Sequence, residues 1–334
     1  MISSDHVRGA ARHLAVRLAF VLLVLPAFAA PAAAQSIAGS VVRSGAPAGG
    51  ARVELHRVTR NSRGAIDATV AGADGRFAFR LPTVRDTAGF TVFFATALSD
   101  GVRYFGPVVH GGAGDSAYRI EVFDTTSARG AVDSVRVARR DVVLVPGGAG
   151  GWEVAELVRI QNRSRRTIVP DATRPLFGIA IPAASTAFET GDEESGATTT
   201  GQSPTDVVRV GNRVWVAAPL VPGDRDLIFR YRIPAKPQQL ELRLDQATDS
   251  LNVYVRQPAP DIEVDGLADG KPFAAEGENF LLFSGGGLRS GGKVGIDWRG
   301  PKPAPVDPRW AAVAATALVL VAGAWLAVRR GREA

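Results

Sequence analysis

The sequence predicts an all-β protein of tandem antiparallel β-sandwich modules, with an N-terminal signal peptide and one C-terminal transmembrane helix. The first observation is that apolar residues alternate with polar ones, as in strands with one buried face. The segment LIFRYRI, for example, places Leu227 and Phe229 on one face and Arg230 on the other. The second is that Gly, Pro, Asn and Asp turns separate these runs, and no window before residue 310 has a convincing helical period. The third is an uncharged apolar run near each end of the chain.

The same alternation recurs along the second half of the chain. The residues predicted to share buried strand faces are Leu227, Phe229, Tyr231 and Ile233, then Leu240, Leu242 and Leu244, then Leu251, Val253 and Val255. The segment VVRVGNRVWVAA consists of two apolar runs around Gly211-Asn212, a pair that favours a two-residue hairpin turn. Short strands joined by such turns predict stacked antiparallel sheets.

Residues 1–34 have the features of an export signal. Three arginines precede the apolar run Leu18–Leu25, and the small residues Ala32 and Ala34 precede an expected cleavage at Gln35. The run is short for a bilayer span, which favours cleavage over a retained helix. An uncleaved N-terminal helix is the alternative.

Residues 310–328 are predicted to form a single transmembrane helix. Trp310–Val328 contains no charged residue and as a helix would extend about 28 Å, close to the thickness of a hydrocarbon core. The basic tail 329–334 contains three arginines, which favours the cytoplasmic side, and residues 301–309 form a proline-rich spacer. The bulk of the chain is therefore expected in the periplasm or outside the cell, attached to the cytoplasmic (inner) membrane. A sorting signal that is removed after export is the alternative for the C-terminal helix.

The charge balance gives no electrostatic reason to expect binding to nucleic acid. The chain carries 39 basic and 33 acidic residues, but the two ends, 1–34 and 309–334, account for seven arginines and two carboxylates. The exported part is left with 32 basic and 31 acidic residues, so it is nearly neutral. The predominance of Arg over Lys, with abundant Ala and Gly, is typical of a bacterium with a high-GC genome.

The absence of cysteine excludes disulfides, thiolate metal sites and cysteine nucleophiles. An exported chain without cysteine depends on core packing, and its roughly 270 residues suffice for two or three cores.

The start of the exported segment contains the segments IAGSVVRSGAPAGGARVELHRV and ADGRFAFRLP. Through these two segments, about residues 37–110 resemble the carboxypeptidase regulatory-like, or transthyretin-like, domain. The segment IAGSVVRSGAPAGGARVELHRV carries the letters of the family's G-x-P-x-x-G-A-x-V-x-L pattern at Gly45, Pro47, Gly50, Ala51, Val53 and Leu55. The segment ADGRFAFRLP is similar to its D-x-x-G-x-F-x-F hairpin, one residue shorter, at Asp74, Gly75, Phe77, Phe79 and Pro82. The family's usual LPPGxYxL is replaced by LPTVRDTAGFTVFF, an insertion before the next strand. The resemblance implies a small seven-stranded sandwich, accessory to another function, and no catalytic residue.

The middle of the exported segment resembles bacterial immunoglobulin-like modules in two phrases, IQNRSRRTIVP and APLVPGDRDLIFRY. The predicted domains are a signal peptide at 1–34, a regulatory-like sandwich at 35–116, an immunoglobulin-like sandwich at 117–258, a short β unit at 259–300, a spacer at 301–309, a transmembrane helix at 310–328 and a basic tail at 329–334.

The segment GGGLRSGGKVGIDW resembles a phosphate-binding loop but predicts a turn. Gly287, Gly292 and Lys293 have the spacing G-x-x-x-x-G-K, while Val294 stands where the loop requires Ser or Thr. The residues after Lys293 alternate as in a strand, whereas a phosphate loop leads into a helix. We therefore expect two strands joined by a glycine-rich loop and no nucleotide.

Metal binding has little support in the sequence. His56 and His110 have no partner at the spacing that a zinc site requires, and His56 is expected on the solvent face of a strand. Asp192, Glu193 and Glu194 lie in a polar segment that lacks calcium-loop spacing, which favours a solvated loop. We predict no metal, cofactor or catalytic residue.

Carbohydrate binding is the main alternative to a protein-binding role. Trp152, Trp215 and Trp298 are the rings available for stacking on sugars, but each lies in or beside an alternating strand, where core positions are more common. Asn162 begins a glycosylation sequon that is more simply a turn.

The sequence therefore predicts a non-enzymatic, membrane-anchored envelope protein that binds, scaffolds or senses a partner. Another envelope or membrane protein is the expected partner. An envelope hydrolase with an unfamiliar site is a further alternative, although the chain lacks the G-x-S-x-G motif.

Overall fold

The computed structural model describes residues 35–83, 90–110, 114–127, 129–170, 177–190, 206–236, 238–275 and 277–299. These residues are almost entirely β-structure, and the helices among them are two short 3₁₀ segments, Arg129–Ser134 and Gly148–Gly150. The chain divides into two units between Val122 and Phe123. The prediction of an all-β fold is confirmed.

The first unit contains two sheets. Its strands are β1 (Ser36–Arg43), β2 (Ala46–Pro47), β3 (Arg52–Val58), β4 (Arg63–Val70), β5 (Arg76–Arg80), β6 (Val92–Ser99), β7 (Val102–Phe105), β8 (Val109–His110) and β9 (Asp115–Val122). One sheet has the order β2-β1-β5, with β9 paired to β1, and the other has the order β4-β3-β6-β7, with β8 paired to β6.

The core of the first unit is formed by alternate residues of both sheets. Val53, Leu55 and Phe93 are fully buried on the five-stranded sheet, and Ile37 and Ile120 are fully buried on the other. Phe77 and Phe79 are also buried, as the alternation of β5 predicts. Two sheets that share one core in this way form a sandwich-like unit.

Tyr118 joins the two sheets of this unit. Its hydroxyl accepts the N–H of Ala95 at 2.8 Å and donates to the carbonyl oxygen of Pro107 at 2.5 Å. Burial raises the pKa of Tyr118 to about 12. Gly39 permits the close approach of β1 and β9, because a Cβ at this position would lie 1.8 Å from the carbonyl oxygen of Tyr118.

The second unit is built on a seven-stranded sheet. Its strands are β10 (Thr125–Thr126), β11 (Val135–Pro146), β12 (Trp152–Asn162), β13 (Thr167–Ile168), β14 (Phe177–Ala180), β15 (Thr186–Thr190), β16 (Val207–Val210), β17 (Arg213–Val216), β18 (Gly223–Ile233), β19 (Gln239–Arg243), β20 (Thr248–Arg256), β21 (Asp261–Asp265), β22 (Lys271–Ala275), β23 (Glu278–Leu288) and β24 (Lys293–Arg299). The large sheet has the order β15-β18-β12-β11-β20-β23-β22, beside the sheets β14-β17-β16, β19-β24-β21 and β10-β13.

One face of the large sheet packs against both three-stranded sheets. Val158, Phe229 and Val253 from the large sheet belong to one cluster with Val214 of β17 and Ile296 of β24, and all five are fully buried. The opposite face carries a smaller apolar cluster, formed by residues of the large sheet such as Val143, Leu157 and Phe280. The strands of the large sheet are therefore apolar on both faces over part of their length.

The predicted strand alternations are confirmed. The residues Leu227, Phe229, Tyr231, Ile233, Leu240, Leu242, Leu244, Leu251, Val253 and Val255 are all buried in the main core of the second unit. The predicted hairpin is also present: β16 and β17 pair in antiparallel register around Gly211-Asn212, and Gly211 has a φ of 61°.

The pairing of the strands differs from the prediction in two respects. Although most pairs are antiparallel, β1–β9, β10–β13 and β11–β20 are parallel. The turn at Asp74-Gly75 is present, but β5 pairs with β1 rather than forming the predicted hairpin with the strand before it. Alternation identifies the strands without specifying their partners, because pairing depends on contacts between residues far apart in the sequence.

The boundaries of the units also differ from the predicted domains 35–116, 117–258 and 259–300. Strand β9 extends to Val122 and pairs with β1, so the first unit continues beyond residue 116. Strand β23 pairs with β20 inside the large sheet, and β24 joins β19 to β21. The segment predicted as a separate third β unit thus shares the core of the second.

In the part of the chain that the structure describes, neither helix is long and apolar enough to span a membrane. The predicted signal peptide at 1–34, spacer at 301–309, transmembrane helix at 310–328 and tail at 329–334 lie outside the described residues.

Candidate interaction surface

The solvent side of the five-stranded sheet carries a cluster of aromatic and charged side chains. Because Val53, Leu55, Phe93, Ala95, Val102 and Tyr104 point into the core, the residues between them point to the opposite side. We name this side the aromatic face and define it as Arg52, Glu54 and His56 of β3, Phe94, Thr96 and Leu98 of β6, and Arg103 and Phe105 of β7.

Three rings lie next to each other on the aromatic face. His56 and Phe94 are directly paired across β3 and β6, and their rings stack almost in parallel with centroids 5.0 Å apart. The Phe105 ring lies 6.0 Å from that of Phe94. Phe105 is 64% exposed, so this face places a large apolar side chain in solvent.

Glu54 lies between two arginines on the same face. Arg103 donates from Nη1 to Oε2 of Glu54 at 2.5 Å, and Arg52 donates from Nε to Oε1 at 3.1 Å. The hydrogen bond from Arg103, supported by the charges of both arginines, holds the pKa of Glu54 below its usual value. The carboxylate is therefore charged at neutral pH.

Thr96 links this charged group to the rings. Its hydroxyl oxygen accepts a hydrogen bond from Arg103 at 3.0 Å and lies 3.1 Å from Nε2 of His56. A hydroxyl has one proton to donate and two lone pairs with which to accept, so this contact is compatible with either neutral tautomer of His56. Burial, followed by the charge of Arg103, lowers the pKa of His56, although Glu54 at 3.7 Å opposes this shift. At neutral pH His56 contributes an uncharged ring to the face.

The cluster continues beyond one end of the sheet. Arg60, in the turn after β3, stacks over the ring of Phe90 with 3.5 Å between Cζ and the ring centroid. Phe90 immediately precedes β6, and Val58 pairs with Val92 at this end. Phe90 is also largely exposed, so the apolar area extends along the sheet.

The sequence contains a signal for this face that the analysis of single motifs missed. In VELHRV the alternation places Glu54 and His56 on one face, and in TVFFATAL it places Phe94 and Leu98 on one face. The expected position of His56 opposite the core is confirmed, but His56 is half-buried because Phe94 and Thr96 cover it. Only the register of β3 against β6 brings the two groups together.

The residues that resemble a phosphate loop join two strands. Gly287 lies in β23, the turn Gly291-Gly292 follows, and Lys293 begins β24. Lys293 pairs with Glu241 at 3.2 Å. The predicted strand–loop–strand structure is confirmed, and no helix N-terminus follows Lys293 to receive a phosphate.

Two of the three tryptophans considered for sugar stacking are core residues. Trp152 and Trp298 are buried in the second unit, where their rings meet edge to face at 5.8 Å. Trp215 is half-buried and its ring lies against Gly178. A platform made of two flat, exposed tryptophans is therefore absent from these three residues.

Of the other residues singled out in the sequence, His110 lies in the same sheet as the aromatic face, opposite Val92. His110 is exposed in β8, and the described residues contain no group of three or more His, Cys, Asp or Glu side chains that could hold a metal ion. Asn162 donates to the carbonyl oxygens of Arg166 and Leu220, and its side-chain oxygen accepts from Ser164, which confirms the predicted turn. Asp192, Glu193 and Glu194 lie outside the described residues.

The core of the second unit contains a buried ion pair. Arg140 makes two hydrogen bonds to the carboxylate of Glu156, at 2.8 and 3.1 Å, and Tyr231 donates to the same carboxylate at 2.6 Å. Arg140 also donates to the carbonyl oxygens of Arg243 and Ala180. All three side chains are almost fully buried, so this group orders the core and offers no access to a substrate.

Together, the fold and the aromatic face define an all-β protein with exposed aromatic and charged side chains on one sheet of its first unit. Comparison with protein-family models and with curated proteins finds no match. Among solved structures, the chain is similar to an M1 zinc metallopeptidase from Deinococcus radiodurans, with 13% identity over 49% of this chain and 42% of that chain and a TM-score of 0.29. It is also similar to the shaft pilin SpaA from Lactobacillus rhamnosus GG, with 12% identity over 64% of this chain and 91% of that chain and a TM-score of 0.22.

The chain spans less than half the length of the metallopeptidase. At these TM-scores neither similarity supports a conclusion about fold or function.

Proposed function

We propose that this protein is a non-enzymatic, membrane-anchored component of the bacterial cell envelope that binds a partner protein through the aromatic face. The proposal combines the export signal and apolar C-terminal segment of the sequence with the exposed surface of the first unit. The observation that carries it is Phe105, which is 64% exposed beside Phe94 and Arg103 on a rigid sheet. Exposed aromatic residues next to arginines are typical of the residues that dominate protein–protein affinity.

The contacts of the aromatic face support binding rather than catalysis. The only hydroxyl bonded to His56 in the described structure is that of Thr96, which is almost fully buried and already accepts a hydrogen bond from Arg103. A nucleophile needs an accessible oxygen and a base free to take its proton. Glu54 is held by two arginines, which lowers its basicity and favours a structural role.

The test is photo-crosslinking in native membranes. A photoreactive amino acid at Phe105 in the full chain is expected to give a discrete crosslinked product. The matched control is the same substitution at Val210, which is 61% exposed on the second unit. A second full-chain variant with the photoreactive residue at Leu98 tests whether the contact covers the aromatic face.

The proposal predicts crosslinks at Phe105 and Leu98 that exceed those at Val210. Identical products at Val210 and Phe105, or no product at Phe105 in membranes that contain the folded chain, would contradict it.

A further inference from the structure

We infer that the partner presents an acidic surface with an apolar centre, so that carboxylates meet the arginines around the aromatic face and an apolar pocket receives Phe105. This inference rests on the proposed function and specifies the chemistry of the partner. It follows from the arrangement of charge around the rings.

The aromatic face and its end carry a surplus of positive charge. Among the described residues of the aromatic face and of the Arg60–Phe90 contact, Arg52, Arg103 and Arg60 contribute three cations against the carboxylate of Glu54, which leaves a surplus of two. His56 is neutral at neutral pH because its pKa is lowered. This surplus is local, since the exported part of the chain is nearly neutral.

Among the residues that the structure describes, two other carboxylates near this face do not cancel the surplus. Asp100, in the turn between β6 and β7, is paired with Arg43 at 2.9 Å. Asp67 of β4 lies opposite Leu55, so it projects to the other side of the sheet. A partner gains electrostatic energy by placing carboxylates opposite Arg52, Arg60 and Arg103.

The charge distribution disfavours a second copy of this chain as the occupant. In a face-to-face twofold contact both copies present the same patch, so the surplus cations of one meet those of the other. Burying like charges against each other costs free energy. A different protein with complementary charge avoids this repulsion.

The structure of the aromatic face also disfavours a lipid bilayer as its binding partner. The rings of His56 and Phe94 lie stacked on the strands of a sheet rather than on a protruding loop or helix that could enter a bilayer. An apolar centre with charged residues at its rim is instead the usual anatomy of a protein–protein interface. Phe105 is the side chain best placed to enter a pocket of the partner, because it is the most exposed ring of the three.

The test uses the full chain in phosphatidylcholine nanodiscs and three synthetic peptides of equal length. In the first peptide Glu alternates with Phe, in the second Lys replaces every Glu, and in the third Ser replaces every Phe. The first peptide is expected to bind at least about tenfold more tightly than the other two, and its binding is expected to weaken as salt is added. Vesicles of phosphatidylglycerol serve as the lipid probe.

Two substitutions place the binding on the aromatic face. Phe105→Ser is expected to weaken binding of the first peptide about tenfold, the size of a hot-spot loss, and Arg52→Ser about two- to fivefold. Their controls are Val210→Ser and Arg232→Ser, two exposed residues of the second unit, of which Arg232 is also paired with a neighbouring glutamate. Both controls are expected to bind as the unchanged protein does.

Equal or tighter binding of the Lys peptide overturns the inference. So does binding of phosphatidylglycerol vesicles that depends on Phe105 without a preference for the first peptide, or failure of all three peptides to bind. These failures are distinct from failure of the proposed function: a protein crosslinked at Phe105 through a basic surface would refute the acidic partner and leave the contact role intact.

Discussion

At the scale of single residues, Tyr118 has the clearest structural role in the first unit. It belongs to the four-stranded sheet, and its hydroxyl contacts the backbone of Ala95 in the other sheet and of Pro107 beside it. One side chain therefore satisfies a buried donor and a partly buried acceptor at once.

Replacing Tyr118 by Phe is expected to destabilise the first unit by about 1–3 kcal/mol, because the Ala95 N–H and the Pro107 carbonyl lose their partner. Hydrogen-exchange mass spectrometry of peptides from the first unit measures this change in the full chain. Tyr254→Phe is the control, since Tyr254 is buried in the second unit and its hydroxyl accepts a long hydrogen bond, 3.4 Å, from Nη2 of Arg139. Equal protection in Tyr118→Phe and the unchanged protein would contradict the role assigned to this hydroxyl.

His56 is expected to make the first unit less stable in mild acid. Its pKa in the folded chain is below the ordinary value of 6.5, mainly because of burial. The unfolded chain therefore binds more protons as the pH falls through 6.5, and the free energy of unfolding falls with it. His56→Gln is expected to remove this part of the pH dependence.

The measurement for His56 is an NMR titration of its ring, combined with urea unfolding at pH 7.5 and pH 5. A midpoint at or above 6.5 would contradict the lowered pKa of His56. An unchanged pH dependence in His56→Gln would show that other groups cause it.

At the scale of elements, β12 carries two glutamates that lie in different environments, one buried and one at the surface. Glu156 points into the core of the second unit and pairs with Arg140, whereas Glu153, three residues earlier, pairs with Arg232 at the surface. Both are glutamate–arginine pairs between neighbouring strands of the same sheet. The loss of each pair is expected to change the free energy of unfolding by a different amount, because only one pair is removed from water.

Glu156→Ala is expected to lower the free energy of unfolding by about 3–5 kcal/mol, because it leaves the charge of Arg140 buried without its partner. Glu153→Ala is expected to lower it by less than about 1 kcal/mol, since Arg232 remains solvated. Urea unfolding of the full chain compares the two variants. Similar losses in both would contradict the distinction.

At the scale of the whole molecule, the proposed function depends on attachment to a membrane through residues 310–328. We predict that the full chain stays in the membrane fraction after washing with alkaline carbonate, because a spanning helix resists extraction that removes peripheral proteins. Deleting residues 310–334 is expected to release the chain into the soluble fraction. Deleting only residues 329–334 is the matched control and is expected to leave it in the membrane.

Release of the full chain by carbonate would exclude a spanning helix. Mass spectrometry of the mature protein then distinguishes loss of residues 310–334 by cleavage from simple peripheral attachment.

Strand positions were the part of the fold most accessible to sequence analysis. The alternation in β18, with Phe229 and Tyr231 toward the core, is visible in seven consecutive letters and is confirmed. The parallel pairing of β11 with β20 and the inclusion of β23 in the large sheet are not visible there. Side-chain alternation is a local property of the backbone, whereas partners are selected by packing between segments that are far apart in the sequence.

The aromatic face shows the same difference between what the local sequence determines and what the tertiary contacts determine. Of the three rings, only that of His56 is predicted from the sequence to lie on the solvent face of a strand. Tertiary structure decided that the rings of His56 and Phe94 stack, that Glu54 is held by Arg103, and that Trp152 and Trp298 are core residues. Composition and the local period of apolar residues determine which side chains face away from the core. Only the register between β3, β6 and β7 determines which of these side chains contact each other and which charges surround them.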